Sequence, residues 1–85
     1  MMFKLSKKTE YGILALQHMA SLNGSRVATV KEIAETHRVP QSLLAKILQQ
    51  LAKSKIIQSV QGSRGGYTLS RNAKEISLAD VLEAI

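Results

Sequence analysis

The sequence predicts a mainly α-helical domain carrying a small two-stranded hairpin, and three observations lead there. Apolar residues recur at helical spacing over 6–22, 30–37, 40–53 and 77–85. Two short runs, Ile57–Val60 and Tyr67–Ser70, flank the glycine-rich segment Gly62-Ser63-Arg64-Gly65-Gly66. Eighty-five residues, 45% hydrophobic and 21% charged, suffice for one globular domain with a thin core. A chain this short buries only about 60–65% of its unfolded surface, so a partner subunit would help it.

Each element has its own signals. Over 6–22, Ser6 can cap a helix whose apolar residues Ile13, Leu14, Ala15, Leu16, Met19, Ala20 and Leu22 surround most of the circumference. Such a helix is expected to be covered on two sides, by the core and by a second subunit. Asn23-Gly24-Ser25 ends it. Val27-Ala28 is a short strand candidate. Thr29-Val30-Lys31-Glu32 reads as a capping box opening a helix to about His37, with Val30, Ile33, Ala34 and His37 on one face. Arg38-Val39 makes a turn. Pro40, the single proline, suits the first turn of the next helix, where its missing N–H has no partner to lose. The two runs at 57–60 and 67–70 form strands, and the intervening glycines allow positive φ at the tip. Ser77-Leu78-Ala79-Asp80 opens a last helix with Leu78, Val81, Leu82 and Ile85 on one stripe. The sequence stops while that stripe is running, so its apolar face is expected to meet a continuation or a partner.

Two helices joined by a tight turn and followed by a hairpin make a winged helix-turn-helix. Ile33, Ala34, Val39, Leu44 and Ile47 are the apolar or small residues that would hold the helix pair at a steep angle. Arg38 stands where the turn usually has glycine, so it must take positive φ or the turn must differ.

Several chemistries drop out. With no cysteine, these residues supply no disulfide, thiol nucleophile or cysteine-ligated cluster. No apolar run reaches the ~18 residues of a membrane span. Met1-Met2-Phe3-Lys4 lacks the apolar stretch of a signal peptide, and a cytoplasmic protein is expected. No nucleophile motif or paired carboxylates appear, so an enzyme is not expected. His18 and His37 lack ligand-type spacing; His18 is expected to pack within its own helix and His37 near the turn, and no metal site is expected.

Charge points to a polyanion. Net charge is +6, and all twelve bases lie between Lys4 and Lys74 against three acids there, a local +9; residues 75–85 carry three acids and no base. On the helix at 40–53, Leu43, Leu44, Ile47, Leu48 and Leu51 share one face, while Ser42, Ala45, Lys46, Gln49 and Lys53 share the other. A recognition helix contacts DNA through its N-terminal half, which makes Gln41, Ser42, Ala45 and Lys46 the candidates. Gln41 can pair with adenine, Ser42 with several bases, and the Ala45 methyl can meet thymine. An ordinary solvated face is the alternative, though such a face usually mixes both signs. Lys7 and Lys8 begin the first helix, where the macrodipole disfavours cations and a phosphate would offset the cost. Arg64 on the glycine-flanked tip fits a narrow minor groove, or is simply an exposed turn arginine.

Leu5-Ser6-Lys7-Lys8-Thr9-Glu10-Tyr11-Gly12, Ile33-Ala34-Glu35, Pro40 through Leu51, Ser59-Val60-Gln61-Gly62-Ser63-Arg64-Gly65-Gly66-Tyr67-Thr68-Leu69 and Glu75-Ile76-Ser77-Leu78-Ala79-Asp80-Val81 resemble the bacterial IscR–NsrR–CymR family over nearly the whole chain. The resemblance implies a homodimeric winged-helix transcription regulator, usually a repressor, that binds imperfect palindromes in duplex DNA. It implies DNA contacts from Lys7, Lys8, Tyr11, Thr29, Gln41, Ser42, Ala45, Lys46, Gln61, Ser63 and Arg64. Many members sense iron–sulfur clusters, nitric oxide or iron, and others respond to cysteine metabolism. Cluster-binding members carry three cysteines shortly after the helix that begins here at Ser77, so a cluster would use residues beyond Ile85, as would a long dimerisation helix. Residues 1–85 are then a truncated DNA-binding domain. Glu10 aligns with a carboxylate that ligates the partner subunit's cluster in some members; its plain reading is an acid favourably placed near a helix start. Gln61 replaces an arginine common in the wing, and Ala45 a glutamate common in the recognition helix. A winged helix that binds an acidic protein is the alternative function, and RNA binding is disfavoured by aromatics of only 4%.

Overall fold

A computed structural model describes residues 6–22, 27–62 and 65–85. Four helices and one hairpin follow in the order α1 (Lys7–Ser21), α2 (Val30–His37), α3 (Gln41–Lys53), β1 (Ile57–Val60), β2 (Gly66–Leu69) and α4 (Leu78–Ala84), with a 3-10 turn at Ala73–Glu75. The expected winged helix-turn-helix is present. The predicted helix stop at Asn23-Gly24-Ser25 and the wing-tip residues Ser63 and Arg64 lie outside the described residues.

Local chemistry sets each boundary. The Thr9 N–H donates to the Ser6 hydroxyl at 3.2 Å and starts α1. The Glu32 N–H donates to Thr29 Oγ1 at 3.0 Å and starts α2, but the capping box expected there is not formed, because the Glu32 carboxylate accepts from His18 on α1 instead of from the Thr29 N–H. At the end of α2, Arg38 takes φ 55° and ψ 47°, and the Val39 N–H reaches back to the Ala34 carbonyl at 3.0 Å. This is the left-handed helix ending that glycine favours, achieved here by an arginine. Arg38→Gly is expected to raise stability by about 0.5–1 kcal/mol, read from the urea midpoint at constant slope. Lys55 repeats the device after α3, with φ 64° and an Ile56 N–H to Leu51 carbonyl bond of 3.1 Å. The sequence offered no sign of that second left-handed residue.

Three expectations about element boundaries need correction. Pro40 is the N-cap of α3 and not part of its first turn: its ψ of 125° is extended, which swings the chain out of the Arg38 turn before α3 begins. The lack of an N–H costs nothing there, and its carbonyl accepts from Leu44 at 3.0 Å. Val27-Ala28 is not a strand; Ala28 alone forms an antiparallel bridge to Tyr67 through bonds of 2.9 and 2.7 Å. The hairpin pairs Ile57 with Leu69 and Val60 with Gly66, one residue earlier in β2 than predicted, because Gly66 is close enough to Val60 to pair.

The core lies where α1, α2 and α3 meet the hairpin base. Ile33, Leu44, Ile47, Leu48, Leu51, Ile56 and Ile57 are its large fully buried side chains, with Ala15, Leu16, Met19, Val39 and Val81 around them. Ser77 and Asp80 cap α4 reciprocally. The Ser77 backbone N–H, donating to the Asp80 carboxylate at 2.9 Å, holds that carboxyl below its ordinary range, with the Ser77 hydroxyl and Arg71 adding to the effect. Of the α4 stripe, Val81 is buried, Ile85 is half-buried, and Leu78 and Leu82 are exposed. Among the described residues, no helix is long and apolar enough to cross a membrane.

Candidate nucleic-acid interface

Burying Leu44, Ile47, Leu48 and Leu51 fixes how α3 is rotated about its axis, and that rotation decides what faces water. Gln41, Ser42, Lys46 and Gln49 are exposed, and Ala45 is half-buried among them. No acid occurs on α3. The helix thus presents two amides, a hydroxyl and an ammonium around a small residue, the set deduced from periodicity. Lys46, Gln49, Gln50 and Lys53 line a shallow notch along its flank. Gln50 Oε1 is buried there without a hydrogen-bond partner, an acceptor the sequence did not single out.

The other candidates occupy three places. Lys7 and Lys8 are exposed at the start of α1, and Lys7 Nζ stands 3.6 Å from the Glu10 carboxylate. Both side chains of that pair are largely solvated, so it stabilises little. Tyr11, one turn further on, is half-buried and packs against the core. Thr29 is half-buried, with its Oγ1 occupied as the α2 cap. Gln61 is exposed at the end of the hairpin, where Gly62 has φ 135° and the Gly65 N–H closes a turn onto the Gly62 carbonyl at 3.1 Å. The positive φ expected of the tip is therefore met at Gly62. Ser63 and Arg64 lie outside the described residues. Gln41, Ser42, Ala45 and Lys46 come together on one surface of α3, whereas Tyr11 and Thr29 serve the packing and capping of their own elements as well.

His18 is not where the sequence suggested. It crosses from α1 to α2: its Nε2 is 2.6 Å from Glu32 Oε2, and its Nδ1 is 3.2 Å from His37 Nε2. Nineteen residues of separation gave no periodic signal for this contact, because only the packing of α1 on α2 creates it.

Known proteins share this arrangement. The family model of Rrf2, described as an iron-dependent transcriptional regulator, matches residues 5–85. A protein of Aquifex aeolicus named as an HTH-type transcriptional regulator is 37% identical over 78 residues, 92% of this chain and 54% of that protein. The structure of CymR (YrzC), the global cysteine regulator of B. subtilis, superposes with a TM-score of 0.91 at 26% identity, covering 98% of this chain and 64% of that one. T. potens IscR superposes with a TM-score of 0.89 at 30% identity, covering 98% and 61%. The chain spans about half the length of the curated relatives it matches. These proteins are transcriptional regulators and not enzymes. With the family model matched over nearly every residue and the helix pair, wing and polar α3 face all present, the chain belongs to the Rrf2 family of transcriptional regulators.

Proposed function

We propose that this domain binds double-stranded DNA sequence-specifically, as a homodimer on an imperfect palindrome, and represses the genes it controls. The observation that carries this reading is the acid-free outer face of α3, with Gln41, Ser42 and Lys46 exposed around Ala45. A major groove about 12 Å wide admits one such helix. Gln41 and Ser42 read base edges, the Ala45 methyl meets a thymine methyl, and Lys46 meets a phosphate. Lys7 and Lys8 bring charge to the backbone together with the free N–H groups of the α1 start. Tyr11 and the Thr29 hydroxyl, which can donate its proton while it accepts from Glu32, add neutral phosphate contacts. Gln61, Ser63 and Arg64 follow the minor groove from the wing. Repression and dimerisation draw on the resemblance to regulators of that type, and half-sites about 34–36 Å apart follow from one turn of duplex.

The family description invokes iron. The residues present do not fit a cluster: the chain has no cysteine, and the described residues hold no group of three or more His, Cys, Asp or Glu able to bind a metal. Glu10 is a single carboxylate already paired with Lys7. A cysteine-ligated cluster would therefore need residues beyond Ile85, whereas a response to cysteine metabolism, as the name of the CymR neighbour suggests, needs no cluster.

Gel-shift titration over a salt series tests the reading. Lys8→Ala is expected to weaken binding to every sequence alike and to reduce the log–log salt slope by about 1. Gln41→Ala is expected to relax preference at one base position, by about 1–3 kcal/mol, and to leave the slope unchanged. Failure to bind any duplex at low salt would overturn the proposal in favour of an acidic protein partner. Preference for single-stranded RNA in competition would overturn it in favour of RNA.

A further inference from the structure

Among the described residues, a polar network of Glu32, His18 and His37 joins α1 to the helix-turn-helix. The His18 side chain is only 11% exposed and that of Glu32 24%. The two rings meet edge to face, with centroids 5.3 Å apart. Hydrogen-bond roles along the chain are not free. An ionised Glu32 can only accept, so His18 Nε2 carries a proton. In neutral His18 the Nδ1 is then a bare acceptor, and His37 must present Nε2–H to it. One added proton is accommodated in either of two ways. His18 becomes imidazolium and donates from Nδ1 to a bare His37 Nε2, or His37 becomes imidazolium and goes on donating from Nε2. A second added proton is not accommodated, because two N–H groups would then face each other across 3.2 Å.

We propose that this Glu32–His18–His37 relay is a proton-limited latch that holds α2 against α1 while the two histidines share no more than one added proton, and releases when both are charged. Histidine is the side chain whose charge ordinarily changes between pH 5 and 8. On α1, the ionisable residues Lys7, Lys8, Glu10 and Tyr11 precede His18 by seven residues or more, at least about 10 Å along the axis. On α2, Lys31 and Glu35 are exposed on the side of the helix away from the point between Glu32 and His37, and Arg38 is exposed at its end. On β2, Tyr67 is the sole ionisable residue, and on α3 Lys46 and Lys53 are exposed. Release leaves α2, and the α3 attached through the Arg38 turn, less firmly placed. The proposal does not depend on what α3 binds.

Two measurements on the protein test it. Long-range proton–nitrogen spectra at pH 8 are expected to show His18 protonated at Nε2 and bare at Nδ1, and His37 protonated at Nε2; a His18 carrying its proton on Nδ1 would overturn the latch. In urea titrations from pH 8 to 5, the folding equilibrium constant is expected to fall about tenfold or more, the effect of losing one hydrogen bond to a charged group. His37→Gln supplies an amide able either to donate to or accept from His18 Nδ1, and should cut the fall to about threefold or less. A pH dependence unchanged by His37→Gln would equally sink the proposal.

Discussion

Replacing Gly66 with alanine is expected to destabilise the protein by about 2–3 kcal/mol and to detach the wing from the rest of the fold. A Cβ on Gly66 would lie 2.5 Å from the Ala28 carbonyl oxygen, 2.9 Å from the Ala28 carbonyl carbon and 3.3 Å from the Thr29 nitrogen. All three are backbone atoms, so no side chain can swing aside. Relief requires opening the Ala28–Tyr67 bridge and its two hydrogen bonds of 2.9 and 2.7 Å. Each bond contributes about 1 kcal/mol net, and more where a buried group is left without a partner. Urea denaturation gives the number. A loss below about 0.5 kcal/mol would mean the bridge does not hold the wing. Gly12→Ala is the matched control: its Cβ would meet first the terminal methyl of Ile85, at 2.6 Å, and that side chain can move.

Leu44→Ala is expected to cost about 2–5 kcal/mol, the range for deleting a fully buried leucine side chain. Leu44 is completely buried on the inner face of α3 and belongs to the core that α2 and α3 share. Domains are stable by about 0.05–0.15 kcal/mol per residue, so this loss is a large fraction of the whole for a chain of this length. Melting followed by circular dichroism should show the midpoint falling well below that of Leu78→Ala. Leu78 is 46% exposed, and its truncation should change stability by about 0.5 kcal/mol or less. Equal effects from the two would place the core elsewhere than between α2 and α3.

Local and periodic features were legible in the sequence. Ser6, Thr29 and Ser77 each cap the helix assigned to them, and the leucine–isoleucine stripe of α3 is buried as its spacing required. Arg38 takes the first of the two options open to it, a strained left-handed turn. Pro40 was misplaced by one position because its ring suits both the cap and the first turn, and only the direction of the incoming chain decides. Features that depend on distant segments left no trace in a linear reading. The Ala28 bridge needs β2 beside it, His18 needs α2 beside it, and the buried Gln50 oxygen needs its neighbours in place. Of the candidate interface, the face of α3 could be read from period alone. Tyr11, Thr29 and Gln61 came from the family resemblance, since nothing in their spacing distinguishes them from packing, capping and turn residues.

The bridge from Ala28 to Tyr67 has a mechanical consequence. Residue 28 precedes the α2 cap directly, and residue 67 sits within β2 opposite Ser59. The hairpin is thus riveted at its base to the entrance of the helix pair and behaves as a stiff lever. A tilt of the lever drags the beginning of α2 with it, and the amides of Ala28 and Tyr67 surrender their protection from solvent exchange in one shared opening event.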